Sequence, residues 1–502
     1  MNIKKNIILV YPKMGPSGSL VQHMPLSILY ASVDTLKAGY DVHLIDVRLN
    51  PNSWEQDMLT AINEYTLCIG ISVITGTPIK NALEITQWTR NQFPQLPIVW
   101  GGPHATFNAL EILSEKAIDY VIKGYGSKPL SQLVEVFNHQ SYQNLNKISG
   151  LAYRKNGSPY QVPPENCFEK INYNDIPYHL IKKNLNKYGQ LDSDLKIFSI
   201  YSAMGCPYRC AFCSSPAQYK NMKKKYDPYS TQEVVDHIEF VYLTFKANYI
   251  YFIDDDSFVC LDRIDKIIDE INKRKIKVKL GFRGARINEI KKMSDDFLQK
   301  LATAGTDILH IGAESGSQKI LDLIRKDCTI KDIIDVNKKL ARHPEIKCAY
   351  NWIVGLPGET LEDLKQTRLL MLRLIKDNPN ALIFIPNKFR PLPGTELFDI
   401  ALQKGYQPPQ HLDDWAKIEA ESDYHPIWYT PEQIQHIRMM QVTSYFIDNK
   451  INKVETGKTF KYRFISCLAS LYTPIARIRL KHGFSKLLFE HKIFNFAMKY
   501  FR

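Results

Sequence analysis

The fold of this chain is decided by one stretch, Met204-Gly205-Cys206-Pro207-Tyr208-Arg209-Cys210-Ala211-Phe212-Cys213. It follows an apolar run at 196–202 that is typical of a β-strand, so we expect it on a strand-end loop. Thiolates are soft ligands that suit iron–sulfur clusters, and three in a tight loop can bind three irons of a four-iron cube. A structural zinc site is usually closed by four ligands, and the nearby sequence offers no His or fourth Cys. The spacing therefore favours a [4Fe–4S] cluster on Cys206, Cys210 and Cys213.

Around this stretch, residues 196–400 alternate predicted strands with helical segments. The strands are expected at Lys196–Ser202, Tyr249–Ile253, Val278–Phe282, Ile308–Gly312, Lys347–Ile353 and Leu382–Phe389. Continuous apolar strands separated by helices predict a parallel sheet that is buried on both faces. Six such repeats predict a partial (β/α)6 barrel, whose chemistry would lie on loops at the carboxyl ends of the strands.

Charged side chains follow three of these strands. Asp254-Asp255-Asp256 follows the second strand, Arg283 and Arg286 close the third, and Glu314-Ser315 ends the fourth. A carboxylate at such a position complements an ammonium group, and an arginine complements a carboxylate. The acidic run Asp254-Asp255-Asp256 could also be a surface loop or a helix cap. Glu314-Ser315 could also be a turn in which the Ser caps the following helix.

The Cys-x-x-x-Cys-x-x-Cys spacing, the aromatic residue before the last Cys and the ordered strand-end motifs resemble the radical S-adenosylmethionine (SAM) superfamily over residues 196–395. The resemblance implies that SAM binds the open iron through its amino and carboxylate groups and is cleaved by one-electron reduction. The SAM contacts it implies are Phe212 at the adenine, Asp255 or Asp256 at the amino group, Arg286 at the carboxylate, and Glu314 and Ser315 at the ribose and carboxylate. An electron donor such as flavodoxin or ferredoxin is expected with it.

Residues 1–140 also alternate strands and helices. Strands are expected at Ile7–Tyr11, Val42–Asp46, Leu67–Ser72, Ile98–Trp100 and Tyr120–Lys123, and helices at Leu26–Lys37, Trp54–Glu64, Ile79–Asn91 and Lys128–Asn138. This order predicts a flavodoxin-like or Rossmann-like doubly wound domain, with its ligand near the switch point at the carboxyl ends of the strands. No Gly-x-Gly-x-x-Gly pattern follows the first strand, so a nicotinamide site is not favoured.

This region resembles the cobalamin-binding domain found ahead of many radical SAM domains. Matching stretches are Met24–Ser27, Ala38–Val42, Gly70–Ser72, Trp100–His104 and Lys123–Gly126. The resemblance implies cobalamin contacts at Ser72, Gly101, Gly102, Pro103 and Gly124, where small residues would let the backbone approach a flat corrin. The Asp-x-His-x-x-Gly motif that supplies an axial His in some cobalamin proteins is absent, so a cobalamin without a protein His ligand is implied. A domain of this class that binds no corrin stays an alternative.

Two further regions complete the predicted organisation. Residues 141–195 read as a linker with a hairpin turn at Asn156-Gly157, and residues 401–502 as a mainly helical region. By position alone, His411, Trp415 and Tyr424–Tyr429 are expected to line a substrate pocket.

The end of the chain is strongly basic. From Lys458 to Arg502, ten Lys or Arg residues stand against one acid, Glu490. Amphipathic helices are predicted at Ile475–Lys481 and Leu487–Phe501. One hypothesis is peripheral contact with an anionic membrane, and the alternative is a basic helix packed over the mouth of the barrel.

The composition excludes several classes of protein. The chain is 44% hydrophobic and 23% charged, which is typical of a globular protein, and its net charge is +13. Nine cysteines, three of them within eight residues, fit a metal site in a reduced cytosol better than a disulfide scaffold. No apolar stretch is long enough to span a bilayer, so we expect a cytoplasmic protein, peripheral to a membrane at most. No RNA-binding module accompanies the basic end, so no nucleic-acid partner is expected.

Together these features predict a cobalamin-dependent radical SAM enzyme. The first hypothesis is a methyltransferase that acts on an unactivated carbon of a small-molecule or lipid-like metabolite, through a 5′-deoxyadenosyl radical and methylcobalamin. The alternative is an oxidative cyclase or rearrangement enzyme that resembles the anaerobic porphyrin ring cyclase. A more distant alternative is a cobalamin or redox sensor without catalysis, against which the intact cysteine triad and the ordered SAM motifs argue.

Overall fold

The structure, a computed structural model, describes residues 4–14, 23–189, 194–418, 425–448, 460–486 and 490. The chain divides into two compact units. The first comprises Met1–Tyr188, Lys220–Lys224 and Pro408–Tyr424, and the second comprises Gly189–Tyr219, Lys225–Gln407 and His425–Arg502. Each unit contains its own sheet of mainly parallel strands, which confirms the predicted α/β class.

The first unit is built on a sheet with the strand order β2-β1-β3-β4-β5-β6-β7. Its strands are β1 (Asn6–Tyr11), β2 (Asp41–Asp46), β3 (Thr66–Ser72), β4 (Ile98–Gly101), β5 (Tyr120–Ile122), β6 (Leu151–Lys155) and β7 (Ser158–Gln161). The first five are parallel, and β6 and β7 run antiparallel as a hairpin. The order reverses between β1 and β3, which is the switch point of a flavodoxin-like sheet.

Helices connect the parallel strands of the first unit. They are α1 (Leu26–Lys37), α2 (Trp54–Ala61), α3 (Thr77–Gln92), α4 (Pro103–Ile112) and α5 (Ser127–His139). Helix α4 is absent from the sequence prediction, which placed no helix between the strands at Ile98–Trp100 and Tyr120–Lys123. Pro103 is the first residue of this helix, where its fixed φ suits the helix and its missing N–H costs no hydrogen bond.

Both faces of this sheet are buried. Side chains alternate along β1, so Ile7 and Leu9 join the core on one face while Ile8 and Val10 join the core on the other. None of these four side chains is more than 3% exposed. Coverage on both sides explains why the strands are continuously apolar in sequence.

The region predicted as a linker extends the first unit. β6 pairs antiparallel with β5 and forms a hairpin with β7 across the predicted turn at Asn156-Gly157. Farther along, the Tyr188 hydroxyl donates to Asp46 Oδ2 at 3.1 Å, next to the end of β2. Residues 151–188 therefore take part in the first unit's own packing.

The second unit contains six parallel strands in the order β15-β14-β13-β12-β11-β8, with β16 paired to β14. The strands of this unit are β8 (Ile197–Ile200), β9 (Ala203–Gly205), β10 (Tyr226–Pro228), β11 (Tyr249–Phe252), β12 (Lys279–Arg286), β13 (Thr306–Glu314), β14 (Lys347–Val354), β15 (Ala381–Ile383) and β16 (Asn387–Lys388). β9 and β10 form a separate antiparallel pair. The predicted strand Leu382–Phe389 is wrong as a single element, because it is divided around Pro386, which has no N–H to donate to a neighbour.

Helices fill the intervals of the second unit. They are α6 (Ser214–Gln218), α7 (Thr231–Phe245), α8 (Leu261–Lys273), α9 (Ile287–Lys292), α10 (Asp295–Thr303), α11 (Gln318–Leu323), α12 (Ile330–Leu340), α13 (Leu361–Asp377), α14 (Glu396–Gln403), α16 (Pro431–Ser444) and α17 (Phe460–His482), while α15 (Leu412–Trp415) lies in the first unit. Several begin at sequence signals that fix the first turn. Thr360 and Asp363, for example, form a reciprocal capping box at the start of α13.

Helix α15 belongs to the hydrophobic core of the first unit. Trp415 is 1% exposed, and its Nε1–H donates to Glu111 Oε1 at 2.6 Å. Leu412 and Ile418 are buried in the same core cluster. The expectation that Trp415 lines a substrate pocket is therefore wrong, because its side chain is buried in the core of the first unit. Tyr424, also expected to line the same pocket, lies outside the described residues.

Helix α17 contains the predicted amphipathic stretch Ile475–Lys481 and packs on α13 and α16. Arg368 of α13 donates a hydrogen bond to the carbonyl of Leu480. The second predicted helix, Leu487–Phe501, lies outside the described residues apart from position 490. None of the described helices is both long and apolar enough to cross a bilayer.

Candidate functional site

The three cysteines of the motif lie on the loop between β9 and α6. A backbone hydrogen bond from Ala211 N to Ile324 O (3.0 Å) and another from Cys213 N to Cys210 O (3.1 Å) fix the course of this loop. Cys213 precedes α6, and its Sγ accepts a hydrogen bond from Ser215 N at 3.5 Å. Cys210 is buried, whereas Cys206 and Cys213 are partly exposed.

The chemistry of these thiols fits an iron–sulfur cluster. Burial raises the pKa of Cys206 to about 12 and raises the pKa of Cys213 above its ordinary value. A thiolate there needs a compensating positive charge, which a bound metal supplies on deprotonating its ligands. Within the described ranges, no three His, Cys, Asp or Glu side chains gather around a single-ion position. In a four-iron cube each thiolate binds a different iron, so the three thiolates need not converge on one point.

Arg286, at the end of β12, is directed at the cysteine loop. Its guanidinium donates to Cys210 Sγ at 2.9 Å and to Lys326 O at 2.8 Å, and it lies 4.0 Å above the ring of Tyr208. The Tyr208 hydroxyl donates to the buried carboxylate of Glu289. The strand-end position of Arg286 predicts that it meets the carboxylate of SAM. In the structure its two terminal nitrogens donate to Cys210 Sγ and to the backbone carbonyl of Lys326.

The three consecutive aspartates after β11 have different surroundings. Asp254 is fully enclosed, and its carboxylate accepts hydrogen bonds from Ser202 N (2.6 Å), Ser202 Oγ (2.6 Å) and Ala203 N (3.0 Å). It therefore anchors the chain just before the cysteine loop. Asp255 is exposed, and its Oδ2 accepts from the Tyr219 hydroxyl at 2.9 Å.

Asp256 is buried like Asp254, but only one of its two carboxylate oxygens has a hydrogen-bond partner. Its Oδ1 accepts from Phe258 N at 2.9 Å, whereas Oδ2 has no hydrogen-bond partner in the part of the chain that the structure describes. Burial, reinforced by the nearby charge of Glu289, raises the pKa of Asp256 to about 8. A buried carboxylate oxygen without a partner is costly unless a ligand satisfies it. Of Asp255 and Asp256, Asp256 is therefore the better candidate for the predicted contact with the amino group of SAM.

Glu314 ends β13 in a strained conformation. It has a φ of +62°, which is uncommon for a residue other than glycine, and its side chain accepts from Lys326 Nζ at 2.8 Å in a buried ion pair. Ser315 is fully buried, lies 3.2 Å from Thr367 Oγ1 and accepts from Ser317 N at 3.1 Å. The Ser315 hydroxyl thus ties the loop to α13, and its predicted contact with SAM stays a prediction.

The remaining predicted SAM residue is Phe212, which is half-buried within the cysteine loop. The structure brings the cysteine loop, Arg286 and Glu314 together through one residue that the sequence analysis missed, Lys326, which bonds to both Arg286 and Glu314. Lys326 lies after α11, 12 residues beyond Glu314, and belongs to none of the recognised motifs.

In the first unit, the predicted cobalamin residues lie along the carboxyl edge of the sheet. Ser72, at the end of β3, is in register with Gly101 at the end of β4. Gly102 has φ +93° and ψ −173°, and a Cβ there would lie 2.9 Å from both Val73 N and Val73 O. The same Cβ would lie 3.0 Å from Ser72 Oγ, so the segments that follow β3 and β4 are in close contact.

Gly124 continues this edge after β5. Its N–H donates to Thr106 Oγ1, in the first turn of α4, at 3.1 Å. A Cβ added to Gly124 would meet nothing within 4 Å, whereas Pro103 is itself exposed. Ser72, Gly101, Gly102, Pro103 and Gly124 therefore form a shallow edge of small or exposed residues, which fits a flat ligand near the switch point.

The histidines of this unit have distinct surroundings. His43 lies on β2 and is exposed. His104 is buried in α4, with its Nδ1 3.0 Å from Thr75 Oγ1 and its ring edge-on to Trp415 at 5.5 Å. Burial lowers the pKa of His104 to about 4, so the ring is neutral at physiological pH. Cobalamin bound without a protein His ligand remains a prediction.

Two family models match the chain. A model of the radical SAM superfamily matches residues 200–371, and a model of the B12 binding domain matches residues 19–134. The first covers the cysteine loop and the strand ends of β11 to β14, and the second covers the glycine-lined edge up to Gly124.

Three curated relatives show the range of related activities. An uncharacterized methyltransferase of Pyrococcus horikoshii is 24% identical over 89% of this chain and 93% of its own length. The anaerobic magnesium-protoporphyrin IX monomethyl ester cyclase of Cereibacter sphaeroides is 25% identical over 77% of this chain and 63% of its own length. The hopanoid C-3 methylase of Methylococcus capsulatus is 22% identical over 74% of this chain and 67% of its own.

Two solved structures share the fold. OxsB, a cobalamin-dependent SAM radical enzyme solved with aqua-cobalamin and SAM bound, has a TM-score of 0.72 at 16% identity and covers 98% of this chain and 75% of its own. The radical SAM methyltransferase TsrM of Kitasatospora setae, solved with cobalamin and a [4Fe–4S] cluster, has a TM-score of 0.64 at 18% identity over 81% of this chain and 76% of its own.

Proposed function

Because the chain belongs to the radical SAM superfamily and carries a B12-binding domain, we propose that it is a cobalamin-dependent radical methyltransferase. Its substrate would be a small-molecule or lipid-like metabolite with an unactivated carbon. When bound, the cluster and the corrin supply one-electron reduction of SAM and a transferable methyl group. The observation that carries the proposal is the cysteine loop, whose Cys210 thiol is held by Arg286.

In the second unit, Cys206, Cys210 and Cys213 would hold the cluster. Arg286 donates to Cys210 Sγ, which stabilises negative charge on that sulfur and fixes the loop. The carboxylates of Asp256 and Glu314 would accept hydrogen bonds from the amino and hydroxyl groups of SAM. The buried and unsatisfied Oδ2 of Asp256 supports its part in this role.

In the first unit, the edge formed by Ser72, Gly101, Gly102, Pro103 and Gly124 would hold the corrin. Small residues there leave backbone groups accessible to the ligand. The neutral ring of His104 is enclosed in the core and holds the start of α4 through Thr75, which keeps this edge in place.

Methyl transfer is favoured over cyclisation by the extent of the matches. The Pyrococcus horikoshii methyltransferase aligns over 93% of its length, whereas the Cereibacter sphaeroides cyclase aligns over 63% of its length. The cyclase match nevertheless supports oxidative cyclisation as the second candidate. The two reactions differ in whether a methyl group from SAM enters the product.

The test uses full-length protein that is purified and reconstituted without oxygen. It is incubated with cobalamin, SAM carrying a deuterated methyl group and a strong reductant, and mass spectrometry follows 5′-deoxyadenosine, S-adenosylhomocysteine and label in candidate substrates. We expect both SAM products and a corrin spectrum. A variant with the three loop cysteines changed to Ala should lose 5′-deoxyadenosine, whereas Cys260→Ala, an exposed cysteine outside the loop, should retain it.

The outcomes separate the two candidates. Both SAM products together with label in an organic product support methyl transfer. 5′-Deoxyadenosine with an oxidised, unlabelled product supports the cyclase. 5′-Deoxyadenosine without bound corrin contradicts the cobalamin-dependent mechanism.

A further inference from the structure

Helix α17 presents a row of apolar side chains to solvent. Leu471, Ile475 and Ile478 are 69%, 52% and 53% exposed, and their spacing of four and three residues places them on one face of the helix. Phe484, just beyond the helix, is 57% exposed. We call these four residues the apolar stripe. Contiguous exposed apolar side chains mark interaction sites more often than scattered ones do.

The opposite face of the same helix is what attaches it to the second unit. Ala476 and Leu480 are fully buried, and the carbonyl of Leu480 accepts from Arg368. The side chain of Thr473 donates to Phe446 O at 2.8 Å. The helix is therefore fixed by its inner face, and the outward direction of the apolar stripe follows from that attachment.

Positive charge accompanies the apolar stripe. The sequence from Phe460 to Lys486 contains no Asp or Glu, and Lys481 and Lys486 are exposed near the stripe. Two arginines of the same helix are already engaged, because Arg477 donates to Ile447 O at 2.9 Å and Arg479 pairs with Glu490 at 2.6 Å. An apolar face bordered by Lys and Arg is the pattern of a helix that lies in a membrane interface. The apolar side chains enter the boundary of the acyl chains while the cations meet anionic headgroups.

We propose that the apolar stripe of α17 docks this protein on an anionic phospholipid surface. Charge complementarity selects this partner, because an acidic bilayer attracts the exposed ammonium groups of Lys481 and Lys486 beside the stripe. The role of this docking rests on the proposed function, because docking would bring the enzyme to the place where a lipid-like substrate is found. The docking itself requires no turnover and can be measured without it.

The experiment is sedimentation of the full-length, cluster-reconstituted protein with sucrose-loaded vesicles. One set of vesicles contains phosphatidylcholine and phosphatidylglycerol, and the other contains phosphatidylcholine alone. We expect binding to the mixed vesicles that weakens with added salt, because surface electrostatics are screened. Binding to the pure phosphatidylcholine vesicles should be much weaker.

Matched variants separate the two contributions. The pair Ile475→Ser and Ile478→Ser removes apolar area and should lower the partition coefficient at least about tenfold. The pair Lys481→Gln and Lys486→Gln should lower it by roughly fivefold for each cation removed, on anionic vesicles only. The control is Leu59→Ser, an apolar residue of α2 that is 47% exposed and should leave binding unchanged.

Several results would overturn the proposal. The protein could fail to bind the anionic vesicles, or bind the neutral vesicles as tightly as the anionic ones. The variant with Ile475→Ser and Ile478→Ser could also bind anionic vesicles as tightly as the wild type. A dimer that light scattering detects in the wild type, and that the stripe variant dissociates, would instead make the stripe an interface between copies of this chain. 5′-Deoxyadenosine formation is assayed in parallel without vesicles: its loss with binding intact counts against the proposed function alone.

Discussion

Replacing Gly102 with Ala gives a sharp test of the first unit, because Gly124 provides a matched control on the same edge. Gly102 has φ +93° and ψ −173°, a region that is essentially open to glycine alone. An added Cβ would also lie 2.9 Å from the backbone N and O of Val73, which cannot rotate away as a side chain could. Gly124, with φ +83°, has nothing within 4 Å of an added Cβ.

The two substitutions should therefore have different costs. At Gly102, the backbone conformation costs about 1–3 kcal/mol, and the forced contact with Val73 adds about 1–3 kcal/mol. At Gly124 only the left-handed backbone is penalised, by about 1–2 kcal/mol. We expect Gly102→Ala to lower the free energy of unfolding of the first unit by about 2–6 kcal/mol, and Gly124→Ala by about 1–2 kcal/mol.

Cobalamin binding should separate the variants in another way. The methyl group of Gly124→Ala enters open space on the predicted corrin edge, so affinity should fall while the fold persists. Urea unfolding followed by tryptophan fluorescence reports stability, since four of the six tryptophans, Trp54, Trp88, Trp100 and Trp415, belong to the first unit. Visible spectra recorded during a cobalamin titration report affinity.

Two results would refute this reasoning. A Gly102→Ala protein as stable as the wild type would show that the chain does not adopt this conformation at the end of β4. A Gly124→Ala protein that folds and binds cobalamin with wild-type affinity would show that the corrin does not lie on this edge.

Two other predictions concern ionisable side chains. Arg286→Gln removes a hydrogen bond to Cys210 Sγ and a positive charge, so it should move the cluster's midpoint potential to more negative values. The expected shift is on the order of 60 mV, for a differential of about 1.4 kcal/mol between the two oxidation states of the cluster. Redox titration without SAM measures this potential, the exposed Arg283→Gln is the control, and equal potentials for the two variants would contradict the prediction. The pKa of His104 is lowered to about 4 in the folded protein, below its ordinary 6.5, so the unfolded chain binds a proton first and stability should be lost as the pH falls from about 6.5 to 4. Urea unfolding across this range should show a flatter pH dependence for His104→Gln, and identical slopes would exclude His104 as the group responsible.

Local signals in the sequence predicted the parallel strands β1–β5, β8 and β11–β14 and the helices α1, α2, α3 and α5 of the first unit. Continuous apolar runs such as Ile7–Tyr11 form strands in the structure as predicted. The sheet is buried on both faces, so these strands have no alternation of apolar and polar residues. Helix α4 escaped prediction because Gly101-Gly102-Pro103 is a turn signal and a helix start at once.

Contacts between residues distant in sequence could not be predicted in the same way. Trp415 was assigned to a substrate pocket by its position near the predicted barrel, yet it lies in the core of the first unit against Glu111, more than 300 residues earlier. Nothing in the local sequence of Trp415 encodes that partner. The acidic run after β11 is recognisable as a motif, but only the hydrogen bonds of the folded chain distinguish the anchoring Asp254 from the half-satisfied Asp256, since both side chains are buried.

The end of β13 is difficult to explain by stability alone. The left-handed conformation of Glu314 costs about 1–3 kcal/mol, and a buried ion pair such as Glu314–Lys326 is often no more stable than apolar residues of the same size. A glycine and an apolar neighbour would therefore serve the fold as well or better. What the pair does provide is a carboxylate fixed at a strand end, joined through Lys326 and Arg286 to the thiol of Cys210. Strain and buried charge placed beside a ligand loop are typical of binding sites, which supports the SAM contact proposed for Glu314.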